Sequence, residues 1–294
     1  MSATLIDRHW RRVLALLLLA APLAAMAGEA MDRIARRGQI NIGFREESPP
    51  FSFLHKGQPV GYSIELCLGI AERIRAELGQ PELPVRFLPV GADQMLRVMT
   101  TGGVDLLCAG TSDTEERRKI MAFSTPIFIS AAKFMVRKQD GITSSAQLKG
   151  QPVALVDRTT AGPAVAAYSK KHGLALKPSP ALNPDAAFGQ LVLGQARAYV
   201  RDEVMLLNQR SQQKQPDDFL ILPDEVSEEV NAIALPKGDP DLQRAVDQGL
   251  ALQVRSRRAA ELYLKWFIKP HVGSPGGLGL PMSPQLKAEF GPRR

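Results

Sequence analysis

The chain is poor in the residues that build metal centres. It has two cysteines and four histidines in 294 residues. His9, His55, His172 and His271 are scattered, and neither they nor Cys67 and Cys108 show metal-ligand spacing. No metal or other cofactor is therefore expected. A basic stripe interleaved with aromatics is also missing. Lys and Arg outnumber Asp and Glu by 37 to 30, but the signs are interspersed, so nucleic acid is not an expected partner. The net charge of +7 suits small anions or an acidic face on a partner. Past the first 27 residues no apolar run approaches the ~20 residues of a membrane span. No repeat of fixed period is visible either.

The first 27 residues carry three ordered features. Arg8, Arg11 and Arg12 make a positive start, Val13 to Leu19 an apolar run, and Ala25-Met26-Ala27 a small-residue cleavage site. This pattern predicts a secretory signal peptide over residues 1–27, cleaved after Ala27. The run is too short for an anchor, and no cysteine follows the cleavage point to carry a lipid. The expectation is an exported, soluble, periplasmic protein. With 45% hydrophobic and 23% charged residues, the remainder is ordinary globular chain, long enough for two domains.

Cys67 lies on the apolar helical stripe Ile64, Cys67, Ala71, Ile74, Leu78, and Cys108 ends the strand-like run Val104 to Cys108. Two buried thiols are the expected state. A disulfide between the two elements is the alternative in an oxidising compartment.

Strands and helices alternate along the chain. "MDRIARRGQINIGF" reads as helix, Gly38 stop and strand, and Pro49-Pro50 forbids a helix in the loop that follows. A helix is predicted from Ser63, read as its cap, to Leu78 before Gly79. The strand–helix pattern then restarts near residue 128, so two α/β blocks stand in tandem, each with a largely parallel sheet. Two extended runs, Pro126 to Val136 and Glu229 to Leu235, bracket the second block. If the second run returns to the first sheet, the chain crosses twice between two lobes, and the cleft between them is the expected ligand position. A short helix is predicted near Pro284 to Phe290.

Three strand ends carry candidate chemistry. In "CAGTSDTEERRK", Ser112 and Arg117 follow a strand and open a helix, where free N–H groups favour an anion. Arg117 is spaced to fold back toward the strand end, and its guanidinium fork suits a carboxylate. The competing role for Glu115, Glu116, Arg117, Arg118 and Lys119 is a solvated helix face. In "DRTTAGPAV", Thr160 is either a helix cap or a ligand contact. In "YVRDEV", Asp202 is either a cap or the counter-ion of an ammonium group. One arginine, one acid and several hydroxyls at strand ends complement a zwitterion.

The combination of "VGYSIEL", "GGVDLLCAGTSDTEERRKIMAFSTPIF", "LKGQPVALVDRTT", "GQARAYVRD" and "YLKWF" resembles the family 3 periplasmic solute-binding proteins, the amino-acid receptors of ABC importers. "MDRIARRG" and the tail after "KWFIKP" resemble the glutamate/aspartate-binding branch. The resemblance runs from about Met31 to Phe290. It implies the type II periplasmic-binding-protein fold, α/β, with two lobes, two hinge strands and a central ligand cleft. The implied layout is a signal peptide over 1–27, lobe 1 over 28–127 and 231–270, lobe 2 over 128–230, and a Pro/Gly-rich tail with a short helix over 271–294. The implied partners are a free amino acid and the membrane permease of an ABC importer, bound by a monomer.

By the same resemblance, Arg117 binds the ligand α-carboxylate and Ser112 contacts both carboxylate and ammonium. The Gly110 carbonyl accepts from the ammonium, and Asp202 pairs with it. Thr160 and the Ala161 backbone form the second lobe's contact to the carboxylate. Arg45 reaches a side-chain carboxylate. The chain departs from the branch at Ala92 and Met95, which stand for a Ser and an Arg, and at Pro184, which stands for a His. Ser48 and Ala92 stand where neutral-amino-acid members carry aromatics, and Ser63 where many members carry an acid. The rival within the same resemblance is a periplasmic cyclohexadienyl (prephenate/arogenate) dehydratase, with Glu46, Glu47 and Glu203 as its candidate general acids.

Overall fold

A computed structural model describes residues 29–291. The expected signal peptide over 1–27 lies outside the described residues. The chain opens with α1 (Glu29–Arg37), β1 (Ile40–Phe44), a small sheet of β2 (Glu47–Ser48), β3 (Ser52–His55) and β4 (Gln58–Val60), then α2 (Tyr62–Leu78) and β5 (Val85–Pro89). Next come α3 (Met95–Thr100), β6 (Leu106–Ser112), α4 (Glu115–Arg118), β7 (Met121–Phe123) and β8 (Phe128–Arg137). The second block contributes β9 (Pro152–Val156), α5 (Ala161–His172), β10 (Lys177–Ala181), α6 (Pro184–Val192), β11 (Ala198–Asp202) and α7 (Glu203–Ser211). β12 (Phe219–Pro236), α8 (Pro240–Arg255), α9 (Arg258–Tyr263) and α10 (Pro284–Glu289) complete the described chain.

The strands run in the order β10-β9-β11-β8-β12-β6-β1-β5. β5, β1 and β6 are parallel, as are β10, β9 and β11, which fits the alternating pattern of each block. The two long strands β8 and β12 lie between these halves as an antiparallel pair. β12 pairs with β8 from Phe219 to Asn231 and continues against β6 and β7 from Asn231 to Pro236. The chain thus passes twice between the halves, as the two extended runs led one to expect. Each half has its own apolar interior. Ile34, Ile42, Leu66, Ile70 and Val246 belong to the first, and Phe134, Leu148, Val153, Val165 and Val200 to the second. α10 seats Leu286 in the first.

An aromatic cluster sits beneath the junction. Phe51, Tyr62, Phe128, Tyr263 and Phe267 pack together, with the Phe128 and Phe267 ring centroids 4.6 Å apart. It sets the floor on which the end of β6 rests.

Two expectations are corrected here. Cys67 and Cys108 form a disulfide, not two free thiols. The stripe correctly placed Cys67 on the buried face of α2. That face packs on β6, and the two Cα atoms lie 6.4 Å apart, within bonding reach. Ser63 does not cap α2. The helix begins one residue earlier after Gly61, and the Ser63 hydroxyl is buried without a hydrogen-bond partner. Gly61 adopts φ +137°, and a Cβ there would lie 2.3 Å from the Phe51 carbonyl oxygen, so the entry to α2 requires glycine.

Candidate functional site

Strand ends from both halves meet across β12 and enclose a cleft. All seven residues singled out above line it: Arg45, Gly110, Ser112, Arg117, Thr160, Ala161 and Asp202.

On the first side, β6 runs four residues beyond the predicted strand end at Cys108. Pairing of Thr111 with Ala232 and of Ser112 with Asn231 extends it. Gly110 takes φ +60°, and its carbonyl accepts from Asn231 Nδ2 at 3.2 Å. The Thr114 hydroxyl caps the single turn of α4 by accepting from the Arg117 amide at 3.3 Å. Arg117 then curls back, and its Nη1 donates to the Ser112 carbonyl at 2.7 Å. Its neighbours keep surface roles. Arg118 pairs with Asp113 and Lys119 with Glu116, each at 2.6 Å and with the cations exposed. Burial lowers the Arg117 pKa, while the charges of Glu229 and Asp202 oppose that shift.

Arg45 follows β1. Its backbone is fixed by Ser52, whose hydroxyl accepts from the Arg45 amide at 2.8 Å and donates to the Arg45 carbonyl at 2.7 Å. Burial lowers its pKa to about 10, helped by the nearby charges of Arg201 and Arg117.

On the second side, the turn after β9 carries Thr159 and Thr160. Thr159 does the local work: its hydroxyl donates to the Val156 carbonyl at 2.7 Å and accepts from the Ala161 amide at 3.4 Å. Thr160 makes no capping bond. Its Oγ1 instead donates to Glu229 Oε2 at 3.4 Å. Asp202 ends β11, precedes α7 and also makes no capping bond. The capping roles considered for both residues are therefore unfilled, and both side chains are available to the cleft. Asp202 is 9% exposed. Burial, and then the charge of Glu229, push its pKa up to about 7.

Sequence reasoning missed two charged residues of the cleft. Glu229 is 3% exposed, in the middle of β12, and accepts from Ser227 Oγ at 2.9 Å as well as from Thr160. Its signal was its place at the start of an extended run that crosses between halves, where a buried acid needs a reason. Arg201 lines the cleft beside Asp202, and its Nη2 donates to the Glu47 carbonyl of the first half at 3.3 Å. Among the substituted positions, Ser48, Met95 and Pro184 line the cleft, while Ala92 stands at its mouth. Glu46 and Glu47 are exposed at the mouth, and Glu203 is paired with Lys133 at 2.9 Å outside the cleft lining.

Chemically, the cleft is bipolar. Arg117 and the Ser112 hydroxyl present donors to an anion, and Thr160 would join them by turning its hydroxyl from Glu229, while Asp202, Glu229 and the Gly110 carbonyl present acceptors to a cation.

Residues 40–269 match the family described as bacterial extracellular solute-binding proteins, family 3. The L-glutamate/L-aspartate-binding protein of Pseudomonas aeruginosa is 31% identical over 274 residues, which is 92% of this chain and 90% of that protein. The glutamate/aspartate import solute-binding protein of Salmonella typhimurium is 29% identical over 268 residues, 91% of this chain and 89% of that one. Among solved structures, the ancestral amino acid-binding protein AncCDT-1, a precursor of cyclohexadienyl dehydratase, superposes with a TM-score of 0.68 at 29% identity, covering 80% of this chain and 98% of that one. No described helix is long and apolar enough to cross a membrane. The two-lobed type II architecture, the cleft at the strand ends and the family match over most of the chain agree, and the chain belongs to the family 3 bacterial extracellular solute-binding proteins.

Proposed function

We propose that the protein is the periplasmic substrate-binding component of an ABC importer that captures a free amino acid, glutamate or aspartate or a related polar amino acid, and delivers it to a membrane permease. The observation that carries this reading is the convergence of Arg117, Ser112 and Thr160 against Asp202, Glu229 and the Gly110 carbonyl in one cleft. The first set matches an α-carboxylate and the second an α-ammonium. Arg45 is then left for a side-chain carboxylate. The names of the relatives from Pseudomonas aeruginosa and Salmonella typhimurium support the acidic choice. Export by a signal peptide over 1–27, lobes divided at 127/128 and 230/231, and action as a monomer belong to the same reading.

Because contacts come from both lobes, binding would stabilise the closed form over an open one. Micromolar affinity corresponds to about −8 kcal/mol. Several charge-assisted hydrogen bonds at roughly 1.5–3 kcal/mol each suffice after ordering costs.

The dehydratase reading draws some support from the likeness to AncCDT-1. Its three candidate acids, however, lie outside the cleft lining or at the exposed mouth. Conversion of prephenate or arogenate by the purified protein would overturn the binding reading.

The deciding experiment is thermal unfolding against the twenty amino acids. Ligand at 1,000 times its dissociation constant adds about 4 kcal/mol. The largest rise in midpoint with glutamate and aspartate is the expected result. No rise with any amino acid would defeat the proposal.

A further inference from the structure

The cleft has a second positive pole that the zwitterion does not use. Three arginines and two acids line it: Arg45, Arg117 and Arg201 against Asp202 and Glu229. With both acids ionised, the lining carries one excess positive charge. A neutral zwitterion leaves that excess in place, and a cationic amino acid adds to it. A ligand with one further carboxylate cancels it.

The excess is localised. Arg117 already faces Asp202 and Glu229, whose charges act on it. Arg45 and Arg201 line the same cleft from opposite lobes, after β1 and on β11. The Arg45 guanidinium makes no hydrogen bond or ion pair with any described residue. Arg201 donates to the Glu47 carbonyl at 3.3 Å and also acts on the Tyr199 hydroxyl beside it on β11, which leaves donors free. A guanidinium has five. Glu47 and Asp93 lie near Arg45 but are exposed, and neither forms an ion pair with it, so solvent screens them. Met95 and Pro184 make neighbouring parts of the wall apolar. After burial, the charge of Arg201 is the next cause that lowers the Arg45 pKa, so the two cations repel each other.

We infer that Arg201 is a specificity-determining residue: with Arg45 it forms a clamp, one arm on each lobe, for a second carboxylate of the ligand. This rests on the amino-acid-binding reading above. It has a mechanical consequence. Closure brings two guanidiniums together, which costs free energy unless an anion lies between them. An acidic side chain removes that cost, and its amide does not. Discrimination of glutamate from glutamine, or aspartate from asparagine, is thereby built into lobe closure.

The test is titration calorimetry of the purified protein with L-glutamate, L-aspartate, L-glutamine and L-asparagine, on the unmodified chain, Arg201→Met and Arg201→Lys. The unmodified protein should prefer each acid over its amide by at least roughly tenfold, about 1.4 kcal/mol. Arg201→Met should weaken acid binding by roughly tenfold or more and amide binding by less than about threefold. Arg201→Lys keeps the charge and should retain most of the acid preference, which keeps the idea testable if the Met variant folds poorly. Equal losses for acid and amide would mean that Arg201 only latches the lobes through Glu47, and would overturn the inference. So would an unchanged acid preference in both variants. If the unmodified protein binds no amino acid at all, the proposed function itself fails. That outcome is distinct from a protein that binds amino acids without using Arg201.

Discussion

Arg117 Nη1 donates to the carbonyl oxygen of Ser112 at 2.7 Å, so the guanidinium is held over the end of the strand that delivers it. The bond uses one donor and aims the rest into the cleft. A cation held this way before ligand arrives loses little freedom on binding.

Arg117→Ala is therefore expected to remove binding of every amino acid ligand, a loss of at least roughly 100-fold at 1.5–3 kcal/mol for each charge-assisted bond. Arg45→Ala should reduce binding of glutamate and aspartate far more than of glutamine. Calorimetry on both variants checks this. Small and equal losses would count against the assignment of Arg117 to the shared α-carboxylate.

Asp202 gives binding a pH dependence with a definite sign. Its folded pKa is raised to about 7 by burial and by Glu229, above the ordinary carboxylate value of 3.8. The ligand-free fold thus holds a proton that the unfolded chain releases. The stability from Asp202 is fully present below about pH 4 and is lost as pH rises through about 7. An ammonium beside Asp202 favours the ionised form, so ligand binding expels that proton. Affinity should fall as pH drops below about 7, by at most roughly tenfold per unit. Proton release measured at pH 6.5 in buffers of different ionisation enthalpy should be positive, and Asp202→Asn should abolish it. An affinity that stays flat between pH 5.5 and 8.5 would refute the assignment.

The disulfide between Cys67 and Cys108 spans 41 residues and joins α2 to β6 two residues before Gly110. Closing a loop of that length restricts the unfolded chain by roughly 3–4 kcal/mol in the chain-entropy model. The double variant Cys67→Ser, Cys108→Ser should lose about that much stability in denaturant titration. Its affinity for glutamate should change only a few fold, because neither sulfur lines the cleft. Finding two free thiols in the denatured, unreduced protein would remove the bond from the description.

The legible parts of this molecule are those that local pattern determines. The stripe through Ile64, Cys67 and Ile74 predicted a buried helix face, and Arg117 stood out because an arginine just past a strand end is close enough in sequence to fold back toward it, as its bond to the Ser112 carbonyl does. What stayed hidden depended on pairs far apart in sequence. Glu229 belongs to the cleft because β12 pairs with β6 and β8 at once, which no local window encodes. Arg201 was passed over for Asp202 beside it, since only the fold shows that it reaches Glu47, 154 residues away. The disulfide stayed open for the same reason: each cysteine read as core alone, and only the packing of α2 on β6 pairs them. Ser63 misled because serine is a common cap, whereas the close approach of Phe51 to Gly61 decides where α2 begins.

Gly110 offers a test of the floor beneath the site. It combines φ +60° with a close neighbour, since a Cβ there would lie 2.6 Å from Phe51 Cγ. Gly57 has a similar φ of +76°, with nothing within 4 Å of its Cβ position. Both Gly→Ala variants bear the cost of a left-handed backbone, roughly 1–2 kcal/mol. Only Gly110→Ala must also displace an aromatic ring held by Tyr62, Phe128 and Phe267. Overpacking adds roughly 1–3 kcal/mol, so Gly110→Ala should destabilise clearly more than Gly57→Ala. If the Gly110 carbonyl serves the ammonium as proposed, the variant should also weaken binding of acidic and neutral amino acids alike. Gly57→Ala should leave binding unchanged. Equal destabilisation by the two, with glutamate affinity intact in both, would mean that the Phe51 ring does not fix the carbonyl's direction.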